Sequence, residues 1–125
     1  MARKMPYAGQ RNQRTEIVRL IVAGLTGSLA NPLTAIAEGT YHCKALRSAA
    51  GVFAIQLNSD KLYARPPNVL IQAISATGVV TSVLTALPTA SGLISFNCYT
   101  SSTGVAVDPT QIMVTIEGSD SVDQV

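Results

Sequence analysis

Apolar and polar residues alternate along most of the chain. In "GVFAIQLNS", Phe53, Ile55 and Leu57 fall on one side and Ala54 and Gln56 on the other, the period of two that sends successive side chains to opposite faces of a strand. "GLISFNCYTSS" repeats it, with Ile94, Phe96 and Cys98 dry against Ser95 and Asn97, and "QIMVTIEGS" sets Ile112, Val114 and Ile116 against Met113, Thr115 and Glu117. In "EIVRLIVAG", Ile17, Arg19 and Ile21 oppose Val18, Leu20 and Val22, and Gly24 and Gly27 favour a strand over two turns of helix. "TYHCKALRS" alternates less cleanly, Tyr41, Cys43 and Ala45 against His42, Lys44 and Leu46, which predicts a strand with one wet face. "NVLIQAISA" is apolar on both faces and predicts a central strand, and "GVVTSVLTAL" is a further β-rich run ended by Pro88. Seven strands result, with room for a short eighth around Val105. The Ala-rich "NPLTAIAEG" is the one place where a short helix or a loop is expected.

Strands joined by turn-rich connections, with no long helical stretch, predict an all-β sandwich or barrel. Mixed connection lengths suit a jelly-roll-like, Greek-key β-sandwich better than an up-and-down barrel. An immunoglobulin-like sandwich stays open beside it, although the chain has no Trp to pack against its two cysteines. Residues 1–15, "MARKMPYAGQRNQRT", carry Arg3, Lys4, Arg11 and Arg14 and no acid, and read as an extended basic N-terminal arm. Residues 16–118 make the sandwich domain. Residues 119–125 are an acidic tail, so the net charge of +2 conceals opposite charges at the two ends.

A chain of 125 residues suits one domain. At 13% it holds about half the charged residues usual in soluble proteins, which fits either a surface rich in Ser, Thr, Asn and Gln or an obligate oligomer. No membrane contact is expected, since Ile17 to Leu33 is broken by Arg19, two glycines and Pro32. The basic start before an apolar run copies a secretory signal, but Glu16 and Arg19 interrupt it and the same residues make a good strand. Cys43 and Cys98 sit in alternating apolar patterns and read as small buried hydrophobes, with a bridge between them left open.

Catalytic chemistry finds no footing. His42 is the only histidine, its strand neighbour Cys43 points to the opposite face, and no serine lies in a nucleophile elbow. The acids form no apposed pair, and neither phosphate-loop signature occurs. No enzyme, cofactor or metal is therefore expected. The basic arm would suit phosphates, but the body lacks stacking aromatics and a basic stripe, so nucleic acid is a minority reading, and a protein partner with an acidic face accounts for the arm equally well.

"AAGVFAIQLNSDKLYARPPNVLIQAISATG" and "GLISFNCYTSSTGVAVDPTQIMVTIEGSD" together resemble the capsid cement, or decoration, proteins of tailed bacteriophages. The matching residues are Gly51, Phe53, Ile55, Leu57, Asp60, Tyr63, Val69 and Ile71, then Phe96, Thr103, Gly104, Asp108, Val114, Ile116 and Gly118. The resemblance spans roughly the C-terminal two thirds of the chain. It implies a jelly-roll-like sandwich on the outer surface of the virion, a homo-dimer or homo-trimer that bridges neighbouring subunits of the major capsid protein. A tail, baseplate or head-fibre protein that binds a receptor or a carbohydrate is the alternative, with Tyr7, Tyr41, Tyr63 and Tyr99 as its only tyrosines.

The stretch between the two clearest strands, Lys61 to Pro67, reads as a rigid corner. Pro66 and Pro67 cannot donate to a ladder, and Pro66 holds Arg65 extended. Leu62 is expected as its buried anchor. Lys61, Tyr63 and Arg65 are expected to alternate along an exposed edge and to join Arg3, Lys4, Arg11 and Arg14 as capsid or subunit contacts.

Overall fold

The computed structural model describes residues 13–25, 36–38, 43–75 and 78–119. They form eight strands: β1 (Gln13–Ile21), β2 (Ile36–Glu38), β3 (Cys43–Ala49), β4 (Val52–Leu57), β5 (Asn68–Ile74), β6 (Val80–Leu84), β7 (Leu93–Thr100) and β8 (Gln111–Ser119). Two four-stranded antiparallel sheets result, ordered β2-β1-β8-β5 and β3-β4-β7-β6. The all-β, sandwich-like character expected from the period-two pattern is present.

The alternation sets the core. Val18 and Leu20 on β1 lie opposite Val114 and Ile112 on β8, while Ile55 on β4 lies between Ala45 on β3 and Ile94 on β7. All these side chains are buried, as are Cys43, Leu57, Cys98 and Ile116. Phe53 and Phe96 are also paired across β4 and β7, with stacked rings whose centroids are 5.5 Å apart. Burying each such large side chain contributes about 1.5–3 kcal/mol.

Three expectations need correction. The eighth strand is β2, inside the Ala-rich segment read as helix or loop; near Val105 there is only an isolated bridge between Tyr99 and Ala106. β5, expected in the centre of a sheet, is an edge strand, and Leu70 is 70% exposed. Its two apolar faces gave the reading of a strand covered on both sides, but the chain covers only one of them. β1 begins at Gln13 because β8 runs on to Ser119 and supplies partners for Gln13, Arg14 and Thr15. Arg14 therefore stands in the sheet, not in an arm. Arg3, Lys4, Arg11, His42 and the acidic tail beyond Ser119 lie outside the described residues.

Candidate interaction surface

The corner between β4 and β5 is built around Tyr63. A short 3-10 turn, Ser59–Lys61, closes with Lys61 N–H donating to the Asn58 carbonyl at 2.8 Å. The turn resets the side-chain direction, so the period of two does not carry across it. Tyr63 points inward and is 3% exposed, and its hydroxyl reaches the carbonyls of Ile116 at 3.0 Å and Arg14 at 3.2 Å. The Arg14 guanidinium lies 4.2 Å from the centre of the Tyr63 ring. It donates to the Lys61 carbonyl at 2.6 Å and pairs with Glu16 at 3.2 Å. Gly118 leaves space for the ring: a Cβ there would stand 2.8 Å from Tyr63 Cδ1.

Two of the expected contact residues, Arg14 and Tyr63, are thus joined inside the protein, and Tyr63 presents no side chain to a partner. Leu62, expected as the anchor, is 38% exposed, so Tyr63 holds the position assigned to its neighbour. Lys61 is half-buried and Arg65 is exposed on the corner.

A second internal latch joins the β3–β4 hairpin to the segment before β8. Asp108 Oδ2 accepts from Arg47 Nε at 2.8 Å and lies 2.6 Å from Arg47 Nη2, while Asp108 Oδ1 accepts from Gly51 N–H at 2.8 Å. The hydrogen bond from Arg47, helped by the one from Gly51, holds the Asp108 carboxyl below the usual carboxylate range. The latch is complete above the unfolded aspartate pKa of about 4 and is lost as pH falls through the lowered value. An open groove beside it is lined by Ile21, Val22, Leu25, Arg47, Asp108 and Pro109. Among the described residues, no group of three or more His, Cys, Asp or Glu is placed to hold a metal.

Cys43 and Cys98 are buried and not bridged. Burial, with a smaller effect from the charge of Glu16, pushes the Cys43 thiol up to about 12. In the unfolded chain the thiol ionises near 9, so between about pH 9 and 12 the unfolded state binds fewer protons and stability falls as pH rises. The slope is about 1.4 kcal/mol per pH unit. Alkaline denaturation of Cys43→Ala should lack this component, and iodoacetamide at neutral pH should leave both native thiols unmodified; rapid native alkylation would contradict the burial.

The four sheet edges are treated differently. β2 is only three residues long, and its register against β1 is irregular. β3 carries Lys44 and Arg47 and ends in a register shift between Arg47 and Ala49. Short strands, charges and bulges are the devices that stop an edge from pairing with another chain. On the opposite side, β5 and β6 have none of them: their registers run unbroken and neither contains a charged residue. Residues 66–107 hold no Asp, Glu, Lys, Arg or His. The uncharged run is legible in the sequence, between charged residues gathered toward the two ends of the chain.

The core is also open on that side. Val69, Ile71 and Ala73 on β5 and Val80 and Leu84 on β6 pack against the core but are only partly buried, whereas Cys43 and Ala45 on the guarded edge β3 are fully covered. Leu70, Ile74, Val79 and Val83 add exposed apolar surface around them. Exposed core residues beside unguarded strand edges make this the side least protected against contact with another chain among the described residues. Comparison with known proteins finds no matching family model, no similar curated protein and no similar solved structure.

Proposed function

We propose that this chain is a structural virion protein that binds the outer surface of a bacteriophage capsid, bridges neighbouring capsid-protein subunits and stabilises the shell. The observation that carries the proposal is the uncharged, open β5–β6 side, a surface through which the chain would assemble into the multimer that a bridge between subunits requires, leaving the corner with Arg65 to face the capsid. Interface cores are depleted of charge, and two of the body's charged pairs, Arg14–Glu16 and Arg47–Asp108, hold the fold together. On this reading the sandwich is jelly-roll-like, with β1 beside β8 and β4 beside β7 as its long-range neighbours. A cement protein acts by mass action: it binds the assembled lattice and not the free subunits, and many modest contacts add together. Of the tyrosines open to the carbohydrate-binding alternative, Tyr63 is buried and offers no stacking face.

Adding the protein to particles that lack it should load many copies per shell and raise the temperature at which the shell opens. Arg65→Glu, on the exposed corner, should weaken attachment several-fold without changing the fold. Saturation at a few copies per particle would place the protein on the tail and overturn the reading.

A further inference from the structure

We propose that the β5–β6 side is the interface with a second copy of this chain, related to the first by a two-fold axis. The inference rests on reading the chain as a protein-binding subunit, and it names the partner and the surface.

The polarity of the surface selects the occupant. A partner bringing Lys, Arg, Asp or Glu to this side would bury charges that residues 66–107 cannot pair, and an unpaired buried charge opposes association. A second 66–107 surface brings none. The half-buried core residues Val69, Ile71, Ala73, Val80 and Leu84 would close over one another, as the two halves of a divided core do in obligate dimers. A two-fold axis perpendicular to the strands runs each edge strand antiparallel to its own copy, so their exposed N–H and C=O groups can match along the edge. The opposite side, with the short β2 and the charged and bulged β3, is unsuited to such pairing.

The test uses the full chain alone, without particles. Sedimentation velocity at tens of micromolar should give twice the 13.1 kDa of one chain. Leu70→Lys combined with Val83→Lys, both at exposed positions on the edge strands, should return the mass to that of one chain while circular dichroism stays that of a β-protein. Lys44→Ala on β3 should leave the dimer intact. A monomeric wild type, a trimer, or a dimer unmoved by the two lysines would overturn the proposal. If the double variant fails to fold, hydrogen exchange of the wild type decides: the β5 and β6 amides should be protected at high concentration and lose protection on dilution, and fast exchange at both would overturn it. A dimer that does not bind particles would leave this interface standing and sink the functional reading; a monomer that binds them would do the reverse.

Discussion

Gly51→Val should lower stability by about 3 kcal/mol or more, seen as a large drop in the urea midpoint. Gly51 sits at φ +71° in the hairpin between β3 and β4, a conformation that costs an L-residue about 1–2 kcal/mol. Space adds to the cost. A Cβ at this position would lie 2.6 Å from the Cys98 carbonyl oxygen and 2.9 Å from the Val107 nitrogen, and all of these are backbone atoms. Moving them would break the Val107 N–H to Cys98 bond at 3.1 Å and the Cys98 N–H to Gly51 bond at 2.8 Å, and would pull Gly51 away from Asp108. Gly104 is the control, since it has φ +69° but nothing within 4 Å of a Cβ. Gly104→Ala should cost only the conformational share, about 1–2 kcal/mol. Equal losses at the two positions would show that the close approach at Gly51 contributes nothing.

Tyr63→Ala should cost about 3–5 kcal/mol, the range for emptying a large buried aromatic site. The loss has several parts: the buried ring, the hydroxyl contacts to Ile116 and Arg14, and the face on which the Arg14 guanidinium rests. Tyr63→Phe keeps the ring and should cost about 1 kcal/mol. Leu62→Ala, at a position 38% exposed, should cost no more than about 1 kcal/mol. The ordering of Tyr63 over Leu62 is the decisive comparison. If Leu62→Ala is the more damaging, the corner is anchored as the bare sequence suggests.

The interior strands were readable because alternation there answers to one buried face. Phe53, Ile55 and Leu57, Ile94, Phe96 and Cys98, and Ile112, Val114 and Ile116 are buried as their spacing requires. The rule failed where its premise failed. Across Ser59–Lys61 the chain is not extended, so Tyr63 turned inward although it keeps step in sequence with Lys61 and Arg65. β5 looked central because both its faces are apolar, but alternation reports faces and not neighbours along a sheet: β5 pairs with β8 on one side only, and Leu70 and Ile74 on its outer face are exposed. β2 is too short for a period to be visible, and it is held by pairing with β1. Arg14 and Arg47 could be counted as charges from the sequence, but their partners are distant along the chain, Lys61 for one and Asp108 for the other.

On the proposed function, the uncharged side of this sandwich is covered by protein on a viral shell. An image of the intact particle, at a resolution that traces this chain, decides the matter. Many copies are expected on the outer capsid surface, each with β5 and β6 buried against protein and the guarded edges β2 and β3 facing outward. A particle in which β5 and β6 face solvent, or in which the chain occurs only at the tail, would contradict it.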